Sequence, residues 1–193
     1  MKPKKKVGLF FGSFNPIHIG HCIIADYVAQ SGLVDEVWLV LTPQNPLKPS
    51  ASLLNEYHRL HLARVAIEGE KNLKVSNVEF NLPKPSYTID TLIYLEEKYP
   101  EHQFAVIMGS DSLLNINKWK NYQALLKNYS IYIYKRPGFA IDETNITNLH
   151  ILDAPLLEIS STQIRKLIKE HKSIRYLVPD MVLEEIEKYG YYK

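Results

Sequence analysis

The chain predicts an α/β fold: a doubly wound parallel sheet of five to six strands with a small helical segment at its C-terminal end. Two observations carry that expectation. Apolar runs alternate with amphipathic stretches for most of the length, the pattern of a parallel sheet covered by helices on both faces. The first run, 7–11, is continuously apolar and meets a glycine at once, as a strand buried on both faces does.

The elements follow in order. Residues 7–11 form the first strand, and Ile19–Gln30 carries helical spacing up to Gly32. Residues 34–41 make a second strand closed by Thr42-Pro43, and 44–52 read as a loop. Residues 55–68 predict a helix with Leu60, Ala63, Ala66 and Ile67 inward. Residues 73–80 predict a third strand, 88–99 a helix, 104–108 a fourth strand, Ser130–Tyr134 a fifth and 150–152 a sixth. Residues 161–170 and 179–189 close the chain as helices. The whole is Rossmann-like, and such sheets bind ligands beyond the carboxyl ends of their strands, where strand order reverses.

Bulk composition narrows the class. At 193 residues the chain fits one domain, 1–193, with a helical segment from about 160 to 193 packed on it. A chain of that size buries enough surface to need no disulfide or structural metal. Net charge is +2, short of the basic signature of a nucleic-acid binder. The single cysteine, Cys22, and the lack of a signal segment or membrane-length apolar stretch predict a cytoplasmic protein that binds no membrane. The Lys4-Lys5-Lys6 run reads as a solvated tail.

The first strand runs into Gly12-Ser13-Phe14-Asn15-Pro16-Ile17-His18-Ile19-Gly20-His21. Gly12 allows a sharp turn and a close approach to a ligand. Pro16 fixes the loop, Gly20 leaves room at the helix start, and the helix N-terminus offers free amides to a phosphate. His18 and His21 stand three apart and share a helix face, where both can donate to phosphate oxygens. Zinc on His18, His21 and Cys22 is a competing reading, but it leaves the two glycines and the proline unexplained.

A second motif lies near the other end: Ile159-Ser160-Ser161-Thr162-Gln163-Ile164-Arg165. Ser160 with Gln163 makes a capping box. Capping does not account for three hydroxyls in a row followed by an arginine, which suit a polyphosphate at a helix N-terminus.

The first segment resembles the GxFxPxHxGH signature of the nucleotidyltransferase superfamily with the HxGH motif, and all six fixed positions match. The second is similar to that superfamily's ISSTxIR motif. Within the superfamily, the segments 86–92 (SYTIDTL), 109–113 with Trp119, and Arg136-Pro137-Gly138 resemble nicotinate-nucleotide adenylyltransferases, and the likeness runs over nearly the whole chain.

The resemblance implies adenylyl transfer from ATP to nicotinate mononucleotide, giving deamido-NAD and pyrophosphate, with Mg²⁺ carried on the ATP phosphates and no protein metal site. It implies an ATP site of Gly12, Ser13, Phe14, His18, Gly20, His21, Gly109, Asp111, Ile159, Ser161, Thr162 and Arg165. The acceptor site would comprise Asn15, Lys48, Tyr87, Thr88, Trp119 and Arg136, and the catalytic set His18, His21, Lys48 and Arg165. Asn15, Leu47 and Lys120 depart from residues common in relatives at those positions. A homo-oligomer is compatible with the sequence. Rival readings are a nicotinamide mononucleotide or phosphopantetheine adenylyltransferase, a cytidylyltransferase, a non-catalytic nucleotide sensor and a zinc hydrolase. His58 and His61, also three apart but without a flanking phosphate loop, read as exposed helix residues.

Overall fold

The computed structural model describes residues 3–46, 53–139, 148–155 and 157–193. Its strands are β1 (Lys5–Gly12), β2 (Glu36–Leu41), β3 (Leu73–Ser76), β4 (His102–Gly109), β5 (Ser130–Tyr134) and β6 (Leu149–Leu152). They form one sheet in the order β3-β2-β1-β4-β5-β6, with every neighbouring pair parallel. The helices are α1 (Ile19–Gln30), α2 (Glu56–Ala66), α3 (Thr88–Lys98), α4 (Ser110–Leu114), α5 (Tyr122–Asn128), α6 (Ser161–Lys169) and α7 (Asp180–Tyr189).

Side chains of a strand alternate between faces, and the two faces here carry separate cores. Phe10, Val37, Leu39 and Ile107 pack with Ile24 and Val28 of α1, Leu60 and Ala63 of α2, Ile164 of α6, and Val182 and Ile186 of α7. Their strand neighbours Leu9, Trp38, Val40 and Val106 pack on the other face with Ile89, Leu92 and Leu95 of α3, Leu113 of α4 and Leu125 of α5. Burial on both faces explains why these strands read as unbroken apolar runs. Truncating a fully buried Leu39 or Leu92 to alanine costs about 2–5 kcal/mol.

The chain runs outward through β1, β2 and β3, then returns to place β4 against the free side of β1. The order therefore reverses between β1 and β4, and the ends of those strands open a crevice. Phe10 pairs with Ile107, so Gly12 and Gly109 close the two strands side by side.

Three expectations change. The third strand stops at Ser76, and 78–81 form a 3-10 turn that buries Glu79 and sets the Phe80 ring edge-to-face on Tyr57. The short helices α4 and α5 were not expected, because five and seven residues are too few to show a helical period. In α2 the inward face includes Leu62 and Arg59, both essentially inaccessible, while Ala66 is half-buried. Among the described residues no helix is long and apolar enough to cross a membrane.

Candidate active site

The loop after β1 is shaped by a packed phenylalanine. Phe14 is only 2% exposed and has φ 43, a left-handed conformation uncommon for a bulky residue. Its ring stands edge-on to Phe10 (5.8 Å) and to His21 (5.0 Å). A Cβ on Gly12 would lie 2.8 Å from that ring, so glycine is what lets the ring sit beneath the loop. The Phe14 side chain thus supports His21 from the core, and its backbone belongs to the loop.

The two histidines are coupled. The His18 N–H donates to His21 Nδ1 at 3.3 Å. With Nδ1 accepting, a neutral His21 ring carries its proton on Nε2. The rings stack with centroids 3.6 Å apart. His18 is 4% exposed, and burial, helped by the charge of Arg136, lowers its pKa to about 4. It is neutral near pH 7, and its buried Nδ1 has no hydrogen-bond partner among the described residues. A Cβ on Gly20 would come within 3.2 Å of the His18 ring, so Gly20 makes room for that imidazole.

The second motif closes on the first. Ser160 caps α6 by accepting from the Gln163 N–H (3.2 Å). Ser161, first in the helix, donates through Oγ to the Pro16 carbonyl (2.9 Å). Arg165 Nη1 donates to the Asn15 carbonyl (2.7 Å), and Nη2 reaches Thr162 Oγ1 (3.4 Å). Ile159 flanks Gly20. The N-terminal ends of α1 and α6 are thereby brought to one mouth, together with two imidazoles, three hydroxyls and a guanidinium. Helix N-termini and side-chain donors converging in this way are suited to a polyphosphate.

The β4 and β5 ends supply the neighbouring wall. Gly109 ends β4, and a side chain there would collide with Asp111 and crowd Tyr134 and Arg136. Asp111 Oδ1 pairs with Arg136 Nε at 3.2 Å. Arg136 also donates to the Tyr134 hydroxyl (3.1 Å), and its N–H donates to Ser110 Oγ (2.9 Å). Asp111 and Arg136, expected on different substrates, are therefore one ion pair.

On the opposite face of the sheet, Tyr87 and Thr88 begin α3 and Trp119 is half-buried against the core. Lys120 joins these segments: its ammonium lies 5.1 Å from the Tyr87 ring centre and binds the Asp90 carboxylate at 2.8 Å. The sequence departure at Lys120 thus has a local bracing role. Lys48 lies outside the described residues. Among the described residues no three His, Cys, Asp or Glu side chains are placed to hold a metal ion. Burial raises the Cys22 thiol to about 11, so the thiol is protonated near pH 7. His58 and His61 are exposed, and they bind the Tyr191 hydroxyl (2.9 Å) and the Glu185 carboxylate (2.6 Å), tying α2 to the C-terminal segment.

Two buried charged residues that bear on the site, Arg59 and Glu79, escaped the sequence reading. Arg59, 1% exposed, donates to the carbonyls of Ser13 (2.5 Å), Thr42 (2.9 Å), Pro43 (3.0 Å) and Leu54 (2.8 Å). It ties the loop after β1 to the loop after β2. Glu79, also 1% exposed, accepts from Ser86 and Thr91. The one available signal was a charge on the inward stripe of a helix or inside an apolar run.

Two helix N-termini and paired imidazoles at the switch point of a parallel sheet fit the class of α/β nucleotidyltransferases. A family model described as cytidylyltransferase-like matches residues 9–167. A probable nicotinate-nucleotide adenylyltransferase of Flavobacterium psychrophilum is 48% identical, over 97% of this chain and 99% of its own. One of Cytophaga hutchinsonii is 49% identical, over 97% and 98%. The chain belongs to the nicotinate-nucleotide adenylyltransferase family. Its fold is shared with the nicotinic acid mononucleotide adenylyltransferase of Plasmodium falciparum, solved with APC (TM-score 0.84) and with NaAD (0.85), each at 23% identity and covering 97% of both chains.

Proposed function

We propose that this protein transfers the adenylyl group of ATP to the phosphate of nicotinate mononucleotide, as a single domain spanning 1–193. The observation that carries the reading is the closure of α6 on the first loop, through Ser161 to Pro16 and Arg165 to Asn15. It makes one cradle from two motifs far apart in sequence.

In this reading the triphosphate lies against the α1 and α6 N-termini, with the nucleoside toward Gly109, Asp111 and Ile159. The acceptor phosphate attacks the α-phosphorus in line, the P–O bond to the β-phosphate breaks, and pyrophosphate leaves. A phosphate nucleophile is already anionic, so positioning and charge neutralisation suffice. His18 and His21 donate to oxygens of the α-phosphate and its bridge, and His18 does so as a neutral imidazole. Arg165, with Ser161 and Thr162, holds the leaving phosphates. Arg136, paired with Asp111, borders both substrates, Lys48 is assigned to the acceptor phosphate, and the acceptor ring lies near Tyr87, Thr88 and Trp119, with Asn15 beside its phosphate. The cradle is lined by hydrogen-bond donors and a guanidinium, so it offers a hard cation few ligands, and Mg²⁺ would arrive on the nucleotide with its own waters. Mg²⁺ on the ATP phosphates supplies charge neutralisation there.

The test measures pyrophosphate released from ATP with nicotinate mononucleotide, nicotinamide mononucleotide or phosphopantetheine. The reading expects the first to react with the highest kcat/KM. A preference for either of the others would replace the assigned acceptor.

A further inference from the structure

We propose that Glu79 is a positioning residue for the acceptor: its carboxylate holds Ser86 and Thr91 on either side of Tyr87 and Thr88 and so fixes the acceptor wall of the site. The proposal rests on the acceptor assignment made above.

A buried carboxylate is costly, and an apolar residue would fill the same space without that cost. The partners of Glu79 are hydroxyls. Ser86 Oγ donates to Oε2 (2.7 Å) and Thr91 Oγ1 to Oε1 (2.8 Å), and both donors are themselves buried. What these bonds secure is the start of α3. That helix begins after Tyr87, which makes no side-chain cap and belongs to a residue type without a capping oxygen near its backbone. The carboxylate fastens one residue before the cap and one turn into the helix, and Thr91 Oγ1 lies 3.3 Å from the Tyr87 carbonyl.

The other end of the arrangement leads to the ATP side. The Thr42 hydroxyl also faces the Glu79 carboxylate. Thr42 sits at the end of β2, its N–H donates to the Gly12 carbonyl (2.9 Å), and its carbonyl accepts from Arg59. The acceptor wall is therefore built on the strand end that also carries the first phosphate loop. The triphosphate cradle occupies the α1 and α6 side of the crevice, so the wall at Tyr87 and Thr88 meets the second substrate.

The experiment uses the full chain with Glu79→Gln and, as a milder pair, Ser86→Ala and Thr91→Val. Steady-state pyrophosphate release gives KM for each substrate and kcat, and calorimetry gives Kd for nicotinate mononucleotide alone and for a non-hydrolysable ATP analogue alone. The expected result is a rise of about tenfold in KM and Kd for the mononucleotide, equivalent to about 1.4 kcal/mol. The values for ATP and its analogue should stay within about twofold. Equal losses for both substrates, or a change in melting temperature with neither constant moved, would overturn the proposal. If Glu79→Gln does not fold, the same split is read from the two hydroxyl variants. A wild-type protein that releases no pyrophosphate with this acceptor overturns the functional reading itself. A reactive wild type whose variants lose both substrates equally overturns only the role of Glu79.

Discussion

Arg165 Nη1 donates to the backbone carbonyl of Asn15 at 2.7 Å across a sequence separation of 150 residues. The bond makes the start of α6 a wall of the loop after β1. It also uses only part of the guanidinium: the arginine has five N–H donors in a fixed fork, and Nη2 reaches Thr162 Oγ1.

Replacing Arg165 with methionine removes both the anchor and the charge. Expected is a loss in kcat/KM of at least about a hundredfold, with weaker ATP binding, because a single preorganised donor to a transition-state oxygen is worth on the order of 3 kcal/mol. Arg165→Lys should recover little, since an ammonium cannot hold the Asn15 carbonyl and a phosphate in the same planar geometry. Kinetics of both variants check this, and near-normal activity in Arg165→Lys would reduce the residue to a point charge.

His18→Ala and His21→Ala should each lower turnover about a hundredfold or more while the fold persists. The rings stack at 3.6 Å and are proposed to serve one phosphate, so the double variant should fall short of the product of the single losses. Single-turnover rates of the three proteins give the comparison. Strictly multiplicative losses would mean that the two imidazoles act on separate steps.

The lowered pKa of His18 also has a thermodynamic consequence. Its folded value is about 4, against roughly 6.5 for an unfolded histidine. Between those values the unfolded chain binds a proton that the folded chain refuses. Stability therefore falls as pH drops from about 6.5 toward 4, by up to about 3 kcal/mol, and this contribution is complete above the unfolded value. Urea unfolding of wild type and His18→Asn at several pH values isolates the histidine, since other titrations are shared. The variant should lose less stability over that window, and parallel curves would show that the site does not exclude the proton.

Much of this was legible in the sequence because it rests on local rules. The α1 helix and β5 have the bounds their periodicity suggests, and unbroken apolar runs gave the two-sided sheet. The loop after β1 could be singled out because glycine, proline and paired histidines each leave a one-letter trace. Other features depend on contacts that no local pattern encodes. The role of Gly12 requires knowing that the Phe14 ring folds back against it. The pairing of Asp111 with Arg136 joins the ends of two strands. The strand expected over 73–80 ends at Ser76 because Glu79 turns inward to hydroxyls that come later in the chain.

Arg59 gives the sharpest stability prediction. Its guanidinium is buried, and its four bonds go to the main-chain carbonyls of Ser13, Thr42, Pro43 and Leu54. Arg59→Met fits the space and removes the buried charge, but it strips the donor from several acceptors at once. Each buried acceptor left unpaired costs about 1–3 kcal/mol, less whatever the loss of a buried charge returns, so a net destabilisation of at least about 3 kcal/mol is expected. Arg59→Lys should rescue only part, since one ammonium with three donors cannot span two loops. Both loops border the site, so surviving protein should also bind ATP and the acceptor more weakly together, unlike the one-sided effect expected at Glu79. Chemical denaturation with paired binding measurements tests this. Wild-type stability in Arg59→Met would mean that water satisfies those carbonyls and that the loops hold their shape without the arginine.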